Sequence, residues 1–388
     1  MARRNGGFIG TDGLDAPDPP TGVTASVGSA EAAISFTVPS DAGTSAITGF
    51  VATTDAGDGA TGSSSPITIG SLTNGTAYTA RVYAINAYGT SAASIASSSF
   101  SPINARGLFM GGQVSNASVD VIQYITIGTT GNATDFGNLT AAKRTVGSVA
   151  SSTRGVCGGG NKTDVGLVNE IEYVTILTTG NATDFGDLTV ARHSLSSGGS
   201  NTRGLFVGGN GTINTIDYIT IASVGNATDF GDVDSNGPNR EAAACASPVR
   251  LVNSGENLSR IDYVTIATTG NTADFGDRTV QNNGIGACAS ATRGVFAGGE
   301  QSGSEVIDYI TIASTGDATD FGNLTANSGN QFMAGLSSST RGVFAGGYQN
   351  NVIEYITIAS TGNATDFGDL LGGTGLFSGC SNNHGGIA

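Results

Sequence analysis

The residues able to do chemistry are few, and most fail the spacing that chemistry requires. Gly57-Asp-Gly59-Ala-Thr-Gly62 matches the glycine pattern of a dinucleotide site letter for letter. That pattern cradles a pyrophosphate only where it joins a strand to a helix N-terminus inside a βαβ unit. Here it lies between two short alternating runs, and it reads as a flexible turn. Cys157, Cys245, Cys288 and Cys380 are scattered with no C-x-x-C pair, which gives neither a disulfide framework nor a zinc site. Only two histidines occur, His193 and His384. With no G-x-S-x-G and no paired-carboxylate spacing, the chain reads as non-enzymatic and without a cofactor. What does recur is an arginine before a glycine or leucine, at Arg106, Arg154, Arg203, Arg250, Arg293 and Arg341, together with the aspartate of an Asp-Phe-Gly at Asp135, Asp184, Asp229, Asp274, Asp320 and Asp366. Two readings of these series stand open. One is a ring of charge-assisted hydrogen bonds knitting strands or neighbouring units; the other is a ring gripping an anionic sugar or partner.

The elements that must position these groups are repeats. From residue 104 one unit recurs six times, most clearly as Tyr-(Ile/Val)-Thr-Ile beginning at Tyr124, Tyr173, Tyr218, Tyr263, Tyr309 and Tyr355, with intervals of 49, 45, 45, 46 and 46 residues. The Asp-Phe-Gly series keeps the same intervals. Each unit holds four short runs of strand character separated by Gly, Asn, Ser and Thr turns, the size of one propeller blade. An α-solenoid is excluded, because no helical apolar period occurs. The first unit begins at its second strand, Arg106-Gly-Leu-Phe-Met-Gly-Gly, and the sequence finishes in Gly375-Leu-Phe-Ser-Gly-Cys380-Ser, an innermost strand with no unit after it. Residues 374–383 are therefore expected to complete the unit of residues 104–140, removing free sheet edges.

Arg192-His193, then Gly204-Leu-Phe-Val-Gly-Gly209, then Ile216-Asp-Tyr-Ile and Asp229-Phe-Gly-Asp-Val follow the order of a kelch repeat. Residues 104–388 thus resemble a kelch-type β-propeller, with Phe where kelch blades usually carry Trp and with Val249-Arg-Leu-Val-Asn-Ser in place of the Gly-Gly strand of the fourth unit. The resemblance implies a fold, not a function. Kelch-type propellers include a copper radical oxidase, whose metal needs two His and two Tyr; His193 and His384 are expected at opposite ends of an innermost strand, so no metal site is expected. A sialidase-like arginine cluster and acid pair are missing as well. Residues 17–102 alternate without repeating, and Pro20, Leu72, Thr76-Ala-Tyr78, Val82, Ala84, Asn86 and Gly89 resemble a fibronectin type III domain, with Tyr78 at its tyrosine corner. The fold class expected is all-β: a fibronectin type III-like β-sandwich over 17–102, then a six-bladed kelch-like β-propeller over 103–388 closed by a C-terminal strand, preceded by an arm at 1–16.

Composition narrows the function. Gly supplies 61 of 388 residues, about twice the usual share, while charged residues make 12% against a usual quarter. A formal net charge of −15 with only two lysines argues against a nucleic-acid partner. No apolar run reaches the roughly 18 residues of a membrane helix, and Gly-Gly-Phe-Ile-Gly follows the opening arginines where a secretory signal would be apolar. The sequons at Asn132, Asn181, Asn226 and Asn363 share one repeat position and read as repeat chemistry. Arg3, Arg4, Phe8 and Ile9 form either a docking peptide or part of a disordered tail. After the Gly-Gly positions, the loops carrying Gln113, Asn116, Asn161, Lys162, Asn210, Glu300, Gln301, Tyr348, Gln349 and Asn350 differ in length and chemistry. Amide-rich loops on one face of a repeat array suit hydroxyl-rich ligands such as glycans; unconstrained drift accounts for them equally. This set of features resembles tailed-phage virion proteins. The expectation is a tail-fibre or receptor-binding component in several copies, assembled in the host cytoplasm, contacting other virion proteins through its arm and a host glycan or receptor through its loops. A head or neck connector is the alternative.

Overall fold

Period-two alternation in residues 17–102 buries one side of each strand and leaves the other wet, so two sheets must face each other. The computed structural model describes residues 14–28, 30–210, 213–233, 241–254, 259–300, 305–325 and 331–387, and every regular element among them is a strand. The chain divides into two units, residues 1–104 and 105–388. The arm residues Arg3, Arg4, Phe8 and Ile9, and the loop residue Gln301, lie outside the described residues.

In the first unit, Thr21–Val27, Ala32–Thr37 and Ile67–Ile69 form one sheet; Gly59–Gly62, Ile47–Thr54, Ala80–Asn86 and Gly89–Thr90 form the other in that order. Ile34, Phe36, Phe50, Ala52, Ile69 and Val82 fill the space between them, with the Phe36 and Phe50 rings 4.8 Å apart. The Tyr78 hydroxyl accepts from the Thr73 amide at 3.0 Å, as a tyrosine corner requires. Asp58 and Gly59 sit in a hairpin, with the Thr54 amide on the Asp58 carbonyl at 2.7 Å, so the glycine pattern joins two strands and has no helix to offer a phosphate. The last edge is made unusually. Ser91, Ser94 and Ser97 accept through their hydroxyls from the amides of Ala84, Val82 and Ala80 at 2.9, 2.9 and 3.0 Å. Their own amides return bonds to the carbonyls of the same three residues. A spacing of three is that of a polyproline-type chain, not a pleated one, so hydroxyls do here what a strand ladder would otherwise do.

Among its described residues the second unit holds six four-stranded antiparallel sheets, none closed on itself. The second sheet is representative: Gly147–Ala150, Arg154–Gly158, Glu170–Thr175 and Thr183–Asp187, from innermost to outermost. The first sheet takes its innermost strand from the far end of the sequence, Ser378–Ser381, which pairs Cys380 with Leu108. The fourth sheet keeps the same pairing although Asn253-Ser254 stand where the third sheet has Phe206-Val207. Buried apolar side chains cluster between sheets: Leu108, Met110 and Phe136 of the first pack with Cys157 and Val174 of the second, and Phe109 and Ile127 of the first pack with Val343 and Phe367 of the sixth.

Backbone bonds run between sheets in the same succession. The Gly180 amide donates to Phe136 O, Gly225 to Phe185 O, and so on to Gly362 on Phe321 O, and Gly131 donates to Phe367 O. Beside each of these, a side-chain oxygen accepts from the neighbouring sheet's outer strand: Asn181 from Asn138, Asn226 from Asp187, Asn271 from Asp232, Asp317 from Asp277, Asn363 from Asn323 and Asn132 from Asp369. That gives the sequon asparagines a structural task. The approach is close because the glycine of each Asp-Phe-Gly has no side chain and a positive φ. At Gly186, φ is +145° and a Cβ would lie 2.5 Å from the Gly225 carbonyl. Gly186→Ala should therefore lower the melting temperature sharply, through backbone strain and a displaced neighbouring turn. Gly180→Ala, where a Cβ meets open space at an ordinary φ, should change it little; equal effects in calorimetry would show that the close approach does not matter.

Candidate functional site

The recurring arginines do not pair with the recurring aspartates. Each guanidinium lies over the tyrosine of its own sheet, Arg106 over Tyr124 at 4.3 Å and Arg154 over Tyr173 at 4.6 Å, with the same contact at Arg203, Arg250, Arg293 and Arg341. Nη1 then donates to a carbonyl of the next sheet: Arg106 to Ile176, Arg154 to Ile221, Arg203 to Ile266, Arg250 to Ile312, Arg293 to Ile358, and Arg341 to Ile127, at 2.8–3.0 Å. The six knit neighbouring units, with a carbonyl and a ring as partners. Asp135, Asp184, Asp229, Asp274, Asp320 and Asp366 are instead exposed on the outermost strands. Exposed carboxylates keep their water, so pairing would gain them little.

The acids that do hold the units together stand immediately before each tyrosine, a position the sequence reading passed over. Glu172, Asp217, Asp308 and Glu354 are buried on the third strands. Each accepts from the loop leaving the preceding sheet: Thr140 N–H to Glu172, Thr189 N–H to Asp217 at 3.0 Å, Thr279 N–H to Asp308 at 3.0 Å, and Thr325 N–H to Glu354 at 2.8 Å. Three also meet a fully buried cation: Lys143 at Glu172, Arg192 at Asp217 at 2.8 Å, and Arg278 at Asp308 at 3.2 Å. Burial alone would lower the Lys143 pKa, but the Glu172 carboxylate, through its charge and its hydrogen bond, helps to raise it. A signal existed: Gln123, Glu172, Asp217, Asp262, Asp308 and Glu354 are all acids or amides at one repeat position.

At the inner end of the units, six residues in left-handed or positive-φ conformation precede the innermost strands: Thr145, Ser194, Glu241, Gly284, Phe332 and Leu376. Their amides and carbonyls bond in succession. Ser194 donates to Thr145, Glu241 to Ser194, Gly284 to Glu241, Phe332 to Gly284, Leu376 to Phe332, and Thr145 back to Leu376, at 2.6–3.2 Å. Beneath them the innermost strands line a cavity of about 90 Å³ flanked by Val146, Leu195, Ile285, Met333 and Phe377. The opposite end is covered by residues 382–387. The Gly385 amide donates to Ala289 O, the Asn201 amide to Gly386 O, and His384 Nε2 lies 3.0 Å from Ala150 O while its Nδ1 accepts from the Gly386 amide. That pattern requires neutral imidazole, and burial lowers the His384 pKa accordingly. His193 sits at the other end, before the innermost strand Ser196–Gly199. Among the described residues no group of three His, Cys, Asp or Glu could hold a metal. All four cysteines are free and buried, and burial pushes the Cys157, Cys245 and Cys380 thiols up to about 12, far from a reactive thiolate.

The variable loops lie at the end that carries the six-residue ring. They are not equivalent. Lys162 is paired with Glu170, Asn161 is bridged through its backbone to Arg144, the Asn210 amide bonds to His193 O, and the Asn350 side chain caps the Val352 amide. Glu300 is held by Asn283, which also bonds to Glu241. Gln113, Asn116, Tyr348 and Gln349 are brought together around one small crevice.

Residues 18–100 match the family model of the fibronectin type III domain. No curated protein matches the chain.

Removing a buried acid leaves its cation unpaired, at a cost of about 3–5 kcal/mol. Asp217→Ala should therefore cost far more in denaturant stability than Asp229→Ala on the outer strand, and equal losses would restore the aspartates of the Asp-Phe-Gly series to the knitting role. For His384 the folded pKa lies below its unfolded value of about 6.5, so the unfolded chain takes up the proton first. The stability present above that pH is lost as pH falls through this window. The melting-temperature advantage of the wild type over His384→Asn should shrink below about pH 6.5; a gap constant with pH would show that the fold leaves the His384 pKa at its unfolded value.

Proposed function

We propose that residues 105–388 form a six-bladed kelch-like β-propeller and that the chain is a non-enzymatic recognition component of a tailed-phage particle. In this reading it is a tail-fibre or receptor-binding protein whose propeller loops read a host surface glycan or receptor. The propeller reading is supported by six four-stranded sheets bonded in succession, the sixth to the first, and by the innermost strand of the first sheet coming from residues 378–381. The observation that carries recognition is the distribution of variation. Arginines, buried acids, glycines and asparagines are spent on holding units together, while the loops between second and third strands differ from unit to unit at one end of the sheets. A fixed scaffold with freely varying loops is the usual build of a binding surface. The virion placement rests on the resemblance of sequence organisation, with the arm of residues 1–16 docking the chain and the fibronectin type III domain acting as a spacer.

Immunogold electron microscopy of purified particles encoding the chain, with antibody against residues 105–388, tests this. Gold on the fibres or tail tip is the expected result. Gold on the capsid or neck would replace recognition with a connector role, and particles without gold would overturn the virion placement.

A further inference from the structure

We infer that the crevice between the loops of the sixth and first units is a binding site for a neutral, hydroxyl-rich saccharide. This rests on the recognition reading and narrows it to one of the variable loop junctions and one class of ligand.

The crevice is lined by Gln113, Ser115, Asn116, Tyr348, Gln349, Gly375 and Leu376. Gln113 and Asn116 belong to a hairpin formed by Gln113–Val114 and Ala117–Ser118, whose two turn residues, Ser115 and Asn116, have φ of 48° and 66°. Both positive values fix a tight turn that projects Asn116 toward the neighbouring unit. The Tyr348 hydroxyl reaches across to Asn116 Oδ1 at 3.4 Å, and Gln113 Nε2 donates to the same oxygen at 3.0 Å. The Gln113 backbone is also bonded to Gly375, so both walls are tied to one base. Tyr348 is 42% exposed, the largest side chain left exposed in these loops.

The chemistry of the lining selects the ligand. A pyranose presents an apolar face of C–H groups and a rim of hydroxyls that donate and accept. An exposed aromatic ring suits the face, and carboxamides, which both donate and accept, suit the rim. No lining residue carries a charge, and the chain as a whole is at −15, which disfavours acidic or phosphorylated sugars. The crevice encloses only about 10 Å³. It cannot swallow a ligand, so it would grip the edge of a terminal sugar weakly, and useful affinity would come from several copies acting together.

Saturation-transfer NMR on the full chain, with the methyl pyranosides of glucose, galactose, mannose, rhamnose and N-acetylglucosamine as probes, tests the site. At least one probe should give a signal, Tyr348→Ala should weaken it about tenfold or more, and Asn116→Ala should weaken it too, with the melting temperature of each variant near wild type. Asn161→Ala, in a different loop, should leave it unchanged. Binding that survives Tyr348→Ala would place saccharide recognition elsewhere, overturning the crevice while leaving the recognition reading intact. No signal from any probe would overturn the saccharide assignment, and the particle labelling above decides separately whether recognition itself stands.

Discussion

A four-stranded sheet whose strands hold 4, 5, 6 and 5 residues has two faces and no core of its own. In the second unit of this chain both faces of every sheet are apolar, so burial can come only from the sheets on either side, and stability becomes a property of neighbouring pairs. The positions of the buried clusters follow. Each draws on two successive sheets, the sixth and the first included. Apolar contact is not directional, however, and does not fix the angle between neighbours. The directional part is supplied by groups that reach across: the glycine amide on a phenylalanine carbonyl, the asparagine or aspartate oxygen beside it, the arginine on an isoleucine carbonyl, and the acid or amide before the tyrosine on the preceding loop, as at Gln123, Glu172, Asp217, Asp308 and Glu354. Four bonds from four different places on the sheet leave little freedom in how the next one sits.

Much of this was legible. The Tyr-(Ile/Val)-Thr-Ile spacing marks the third strand of every sheet, and the absence of an innermost strand before Arg106 points to Ser378–Ser381, because strand pairing within a repeat is set by period and alternation alone. Tyr78 could be placed at its corner because Leu72, Thr76-Ala-Tyr78, Val82, Ala84, Asn86 and Gly89 resemble the fibronectin type III pattern. What was hidden is the partner of each polar group. The arginine and aspartate series share every interval, and nothing in a one-dimensional period says that one faces the next sheet and the other faces water. Burial depends on the strand's place in the sheet: Glu172, on the third strand, is covered, whereas Asp184, its direct partner on the outermost strand, is exposed. Ser91, Ser94 and Ser97 were hidden differently: their spacing of three has no place in a search for period two.

The loops followed the same division. Of the ten residues expected to face a partner, those whose polar atoms are already committed, Lys162 to Glu170 and Asn350 to the Val352 amide, are parts of the frame. The four that meet at the junction of the sixth and first units include Asn116 and Tyr348, 232 residues apart in the sequence, so no local pattern could have joined them. The bonding of Gln113 to Gly375 brings the two segments together.

The buried cation slot shows what kind of constraint operates between units. Lys143 and Arg192 each stand eight residues after the aspartate of their Asp-Phe-Gly, Asp135 and Asp184, and meet Glu172 and Asp217. In the fourth unit that position is Asn282, which bonds to the Gly298 carbonyl, and the cation comes instead from Arg278, only four residues after Asp274, which meets Asp308 at 3.2 Å. Where the loop Leu371-Gly-Gly-Thr374 offers no cation, the facing residue is the neutral Gln123, which accepts from the Leu371 amide at 2.9 Å. Glu354 stays a buried carboxylate opposite residues 324–331, which include no Lys or Arg, and accepts from the Thr325 amide and hydroxyl. What stays constant is the loop N–H, which donates to Glu172, Asp217, Asp308, Glu354 and Gln123 alike, so the cation can move four residues along the chain or be absent while the backbone bond is kept.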